Sequence, residues 1–165
     1  MTTTAVRTLR NHVGGRWVEA RATETLEDRA PADGALLAHV PLSGAADVDA
    51  AVAAAREAQP AWAARSVLDR ARAVMRLREV LDAHREELAA LVSRDMGKTL
   101  DDARGEVHRG IESVEAACAT PEVLKGEVLE GVARAIDVER IRQPVGVVAA
   151  ITPFNFPAMI PLWFL

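Results

Sequence analysis

Two kinds of hydrophobic pattern follow one another along the chain, and the change falls near Ser43. Before it, short apolar stretches flank turn residues. Gly14-Gly15, inside the segment His12–Val18, predicts a short strand pair or a single strand with a tight turn. From Thr25 to Pro41 two extended stretches flank Pro31-Ala32-Asp33-Gly34, in which proline fixes one φ and glycine accepts a positive one, so a hairpin is predicted. After Ser43, an N-cap candidate, Val48, Val52, Ala55 and Ala58 recur at helical spacing until Pro60 interrupts. A second helix is predicted from Ser66, with Asp69 completing a capping box, to about Asp95; Val67, Ala71, Val74, Leu77, Leu81, Leu88 and Leu91 mark its apolar face. A third starts near Thr99, with Asp102 at the capping position and Ala103, Val107, Ile111, Val114 and Cys118 as its stripe, and Pro121 closes it.

The pattern changes again past Lys125-Gly126. Val132, Ile136 and Val138 alternate with polar neighbours, predicting a strand with one wet face that ends at Gln143-Pro144. Val145 to Ile151 is then continuously apolar, as in a parallel strand buried on both faces. Thr152-Pro153-Phe154-Asn155-Phe156-Pro157 follows, with Pro157 placed to open a helix running through Met159 and Leu162. In open α/β sheets ligands bind at the carboxyl ends of strands, which makes this loop the best site candidate by position. The expected organisation is residues 1–130 as amino-terminal strands and helices, 131–144 as an extended linking strand, and 145–165 as a first β-α unit.

Composition narrows the function. Half of the 165 residues are hydrophobic, enough for a packed core, and the net charge of -4 argues against a nucleic-acid footprint. One cysteine makes no internal disulfide, no apolar run has the length of a membrane span, and Met1–Asn11 lacks the apolar centre of a signal peptide. A cytoplasmic protein without membrane or nucleic-acid partners is expected. His84 and His108 have no second ligand at metal-binding spacing, so no metal site is expected and His84 reads as structural. Cys118 continues an apolar stripe and reads as a small buried hydrophobe rather than a nucleophile.

The segment Ile151-Thr-Pro-Phe-Asn-Phe-Pro157 resembles the signature of the aldehyde dehydrogenase superfamily. The resemblance extends through Gly14-Gly-Arg-Trp-Val18, Arg94-Asp-Met-Gly-Lys98 and Pro144-Val-Gly-Val147. Within the superfamily, Phe154–Trp163 and His108-Arg-Gly-Ile-Glu112 are more similar to the CoA-acylating methylmalonate-semialdehyde dehydrogenases than to the retinal or betaine-aldehyde types. That resemblance implies an α/β fold, here its antiparallel strands, three helices and the first strand of a doubly wound NAD-binding domain. It implies oxidation of methylmalonate or malonate semialdehyde to an acyl-CoA with NAD and CoA, in a dimeric or tetrameric parent.

Residue by residue, the resemblance assigns Asn155 to an oxyanion hole, where a neutral amide offers N–H donors to a tetrahedral oxygen. The alternative is a loop-capping asparagine. It assigns Thr152 and Phe154 to contact with the nicotinamide ribose, packing being the alternative for Phe154. Arg109 is assigned to the substrate carboxylate, which a guanidinium fork binds bidentately; a solvated helix face is its alternative. The family's catalytic cysteine and general-base glutamate belong to later segments than these residues, so the 165 residues alone are expected to be inactive. Two rival readings are a hydrolytic dehydrogenase of other specificity and a non-catalytic remnant.

Overall fold

The computed structural model describes residues 6–165; the leader-free reading of Met1–Asn11 therefore begins outside the described residues. Three antiparallel two-stranded ladders accompany six helices among those residues. β1 (Asn11–Val13) and β2 (Arg16–Val18) meet across Gly14 and Gly15, whose φ of 57° and 77° are those of a tight hairpin turn open to glycine. β3 (Thr25–Arg29) and β4 (Leu36–Pro41) form the second hairpin, in which Asp33 Oδ1 accepts the Ala35 N–H at 2.9 Å and Gly34 has φ 72°. The second hairpin falls where its turn residues predicted it, and of the two readings of His12–Val18 the strand pair is the one formed.

α1 (Ala45–Ala63) starts one residue later than predicted, with Gly44 as its cap. Ser43 is diverted: its hydroxyl accepts from Asn11 Nδ2 at 2.8 Å, while Asp47 accepts the Gly44 N–H at 3.3 Å. The helix also runs through Pro60 instead of stopping there. So near the carboxyl end proline removes only its own amide bond, and its φ is already helical.

The single helix predicted over Ser66–Asp95 is two: α2 (Val67–Ala83) and α3 (Arg85–Met96), hinged at His84. Neither proline nor glycine marks the break. Instead the His84 ring Nδ1 lies 2.9 Å from the Val80 carbonyl oxygen, and the His84 N–H is shared between Val80 and Leu81 carbonyls at 3.2 and 3.3 Å. A side chain inserted into the backbone ladder bends a helix in this way. Ser66 and Asp69 form the expected cap, Asp69 N–H donating to Ser66 Oγ at 3.1 Å. The Ser66 hydroxyl, then Arg72, hold the exposed Asp69 carboxyl below its ordinary pKa. α3 ends at Gly97, left-handed at φ 86°.

α4 (Leu100–Ala117) is capped by Thr99, whose Oγ1 accepts the Asp102 N–H at 3.2 Å. Ala103, Val107, Ile111 and Val114 are buried, as its periodicity predicted, and the first three pack with Ala89 and Val92 of α3. This is the core. Each valine or isoleucine buried there contributes about 1.5–3 kcal/mol. The helix ends before Pro121, which instead lies in the first turn of the short α5 (Thr120–Val123).

Beyond it, β5 (Glu127–Ala133) and β6 (Ile136–Arg140) make a hairpin rather than one strand, and every residue of both is exposed. Val145–Ile151 departs further from its pattern. It forms no strand among the described residues, and Val145 is 90% and Ile151 98% exposed. A parallel strand needs a ladder partner and covered faces, and the described residues give this run neither. The last helix, α6 (Met159–Leu162), begins two residues after Pro157, which sits in the preceding turn. Among the described residues no helix is long and apolar enough to cross a membrane.

Candidate functional site

Thr152, Phe154 and Asn155 share the loop between the apolar run and α6, and all three are exposed. Phe154, at 86% exposed, does not pack into the core as its alternative reading required. The loop's backbone is held from below by two charged residues that the sequence reading did not select.

Glu106 lies on α4 and is 1% exposed, the one charged residue in the core among those described. Its Oε1 accepts the Ala158 N–H at 2.8 Å and the Met159 N–H at 3.1 Å. Its Oε2 pairs with Lys98 Nζ. Lys98, in the link between α3 and α4, also donates to the Asn155 carbonyl oxygen at 3.0 Å and stands 4.4 Å over the centre of the Phe156 ring. The cation therefore meets a carboxylate, a carbonyl dipole and an aromatic face at once. Both charges are desolvated, and removing one partner of such a pair costs about 3–5 kcal/mol.

A signal for Glu106 was present. It falls between Ala103, Val107 and Gly110 on the buried face of α4, and an acid on an apolar stripe is one that must find a partner. Lys98 gave less warning, since one lysine between a helix end and a cap resembles any solvated link.

α4 and α6 approach closely at Gly110. A Cβ there would lie 2.7 Å from Leu162 Cδ1 and 3.3 Å from Met159 Cα, so the lack of a side chain lets the loop's helix dock. Arg109 neighbours this glycine, one turn from Glu106, on the exposed side of α4. The same helix thus presents Arg109 to solvent and grips the loop. Cys118, at the end of α4, is half-buried rather than fully buried, and its Sγ lies 3.3 Å from the Val114 carbonyl oxygen.

A second group of ionisable side chains borders an apolar hollow of about 400 Å³ lined by Leu88, Leu91, Val92, Asp28, Asp95 and Pro157, among others. Asp95 is exposed along one edge, yet this wall desolvates its carboxyl and pushes its pKa up, and the neighbouring Asp28 adds charge repulsion and a hydrogen bond in the same direction.

An apolar run, an asparagine-bearing loop and a short helix docked on a long one make up the carboxyl-terminal part of an α/β protein whose origin can be stated. The chain belongs to the aldehyde dehydrogenase family, whose profile matches residues 17–165. Within it the chain is similar to Malonate-semialdehyde dehydrogenase 2 of Shouchella clausii (strain KSM-K16), 49% identical over 163 residues, covering 99% of this chain and 34% of that protein. Malonate-semialdehyde dehydrogenase 1 of Geobacillus kaustophilus (strain HTA426) is 50% identical over 155 residues, 94% of this chain and 32% of that protein. Among solved structures, a protein of Sinorhizobium meliloti 1021 described as a methylmalonate-semialdehyde dehydrogenase, complexed with NAD, superposes with TM-score 0.91 at 40% identity, over 98% of this chain and 33% of that one. The methylmalonate-semialdehyde dehydrogenase of Oceanimonas doudoroffii gives TM-score 0.91 at 41% identity, over 96% and 32%. The chain thus spans about a third of the length of the relatives it matches. The family resemblance carried by residues 14–18, 94–98 and 144–157 is borne out.

Proposed function

We propose that these residues supply the oxyanion-binding loop and the opening of the cofactor domain of an NAD-dependent semialdehyde dehydrogenase that forms an acyl-CoA. The observation that carries the reading is the Phe154–Pro157 loop, gripped through its main chain while Asn155 is exposed at its turn. Such an amide meets the requirement for a preorganised donor toward a tetrahedral oxygen without adding a titratable group. The semialdehyde substrate and the cofactor come from the relatives: malonate-semialdehyde dehydrogenases by sequence and an NAD-bound neighbour by structure.

In this reading NAD, when bound, accepts the hydride, and exposed Thr152 and Phe154 lie along its ribose. Both side chains are free of the core, which fits a contact surface for a flat ligand. Arg109 pairs with the carboxylate of the semialdehyde. CoA enters as a thiol that releases the acyl group in place of water. The rest of the assignment is organisational: residues 1–130 are the strands and helices of the NAD-domain region, 131–144 the extended link to an oligomerisation region, and 145–165 the first β-α unit of the NAD sheet. Val145–Ile151 then gains its ladder partners from residues outside this chain, and the active protein is a cytoplasmic dimer or tetramer. Cys118 is not the nucleophile, because it is half-buried against α4's own backbone.

In the full-length enzyme carrying this segment, Asn155→Ala is expected to lower kcat about 10²- to 10³-fold with little change in NAD affinity. Stopped-flow NADH absorbance with methylmalonate semialdehyde measures it. Near-normal turnover in a variant whose acylation is rate-limiting would remove Asn155 from the mechanism. The 165-residue chain is expected to form no NADH in the same assay, with or without CoA.

A further inference from the structure

A loop that must present one side-chain amide to a reacting atom needs its main chain fixed on both sides of that residue, because turn backbones otherwise sample several conformations. Here the fixing comes from one place. Lys98 holds the Asn155 carbonyl and covers the Phe156 ring, and Glu106 takes the Ala158 and Met159 N–H groups on a single carboxylate oxygen. The two clamps are joined by the Lys98–Glu106 ion pair, so neither can shift without the other.

The Glu106 end is buried to 1% and is carried by the packed helix α4; the Lys98 end sits between the Gly97 cap of α3 and the Thr99 cap of α4. The clamp therefore rests on the buried core of α3 and α4. A carboxylate and an ammonium withdrawn from water are a poor choice for stability alone, since an apolar pair of similar volume commonly does as well. What the charged pair supplies, and an apolar one does not, is directional hold on a carbonyl and two amides at once.

We propose that Lys98 and Glu106 are positioning residues that set the backbone of the Phe154–Pro157 loop and thereby the direction in which Asn155 presents its amide. This rests on the oxyanion role given to Asn155 above. Neither residue touches the substrate; both act through the loop. Glu106→Gln keeps an oxygen for the two amides but turns an N–H₂ group toward Lys98, and Lys98→Met keeps the length of the side chain without its donors.

The test uses the full-length enzyme carrying this segment, with Lys98→Met, Lys98→Arg and Glu106→Gln, each alone and combined with Asn155→Ala. Lys98→Met and Glu106→Gln are expected to lower kcat about tenfold or more while KM for NAD changes less than about threefold; Lys98→Arg, which can still donate to both oxygens, recovers most of the loss. In the Asn155→Ala background the same substitutions are expected to cost almost nothing further, because the group they position is gone. Equal losses with and without Asn155 would overturn the proposal. Hydrogen exchange over peptides covering residues 152–160 is read in the same variants: faster exchange there, with α3 and α4 still protected, supports the clamp, and unchanged exchange overturns it. If Asn155→Ala itself keeps normal turnover, the oxyanion reading fails, and the exchange measurement still decides whether the pair holds the loop. If Lys98→Met does not fold, Lys98→Arg and Glu106→Gln carry both readouts.

Discussion

The stretch 127–151 is richer in apolar residues than the α3–α4 core, yet the core is the part that is buried. In the core, Val107 and Ile111 are sealed against Ala89 and Val92 of the facing helix. In the later stretch Val128, Leu129, Ile136, Ile141, Val145 and Ile151 all lie open to solvent. Both patterns were written for burial. The helices find their cover a few residues away in sequence, whereas the later stretch finds none among the described residues. Apolar periodicity thus reports the burial a segment is built for, and only partners on the same chain turn it into stability.

The largest effect should come from putting a charge into each region of this chain in turn. Val107→Asp buries an unpaired carboxylate and is expected to cost more than about 4 kcal/mol, abolishing the cooperative transition, whereas Val128→Asp changes stability by less than about 0.5 kcal/mol. Chemical denaturation followed by circular dichroism separates them; similar losses at both positions would mean the hairpin is covered after all. In the full-length enzyme the contrast should shrink, Val128→Asp becoming costly as its partners arrive.

A smaller effect is expected at the helix crossing. Gly110→Val pushes into Leu162 and the Met159 backbone, and overpacking of this kind costs about 1–3 kcal/mol, offsetting the gain of replacing a helical glycine. The loss should appear in α6 and the asparagine loop first, as faster hydrogen exchange over residues 152–165. Uniform destabilisation of α2 and α3 instead would show that α6 is not docked through this glycine.

The smallest effect concerns pH. Because burial and then Asp28 raise the Asp95 pKa in the folded chain, the folded state binds that proton more tightly than the unfolded one. The corresponding stability is complete below the unfolded value and is lost as pH rises through the raised folded one. Asp28→Asn removes part of the repulsion, so its melting temperature should match wild type at acid pH and exceed it slightly at neutral pH. A constant difference across that range would separate Asp28 from Asp95.

The comparison also explains what could be read from the residues alone. Ser66 with Asp69 and Thr99 with Asp102 announced their helix starts because capping is a local, side-chain-to-backbone transaction. Gly14-Gly15 and Gly34 announced their turns for the same reason. The hinge at His84 was hidden, since a histidine ring reaching back to Val80 is one of several rotamers open to it. The splitting of residues 127–140 into a hairpin was hidden by Ala135, which takes φ 61° where a turn would ordinarily carry glycine or asparagine. At the candidate site the asparagine loop was legible as a motif, while its support was not: Lys98 and Glu106 lie 57 and 52 residues away from the backbone groups they hold, Asn155 and Ala158. Local rules do not reach that far.

That separation sets an order of events during synthesis. α3 and α4 adjoin in sequence, so their core can close while the chain is still emerging from the ribosome. In a chain that folds in that order, α4 and the link before it already carry Glu106 and Lys98 when residues 155–159 arrive. The loop meets a template instead of having to build one. Its shape depends on the meeting of two earlier helices, and the backbone groups of Asn155, Ala158 and Met159 answer to side chains some fifty residues before them.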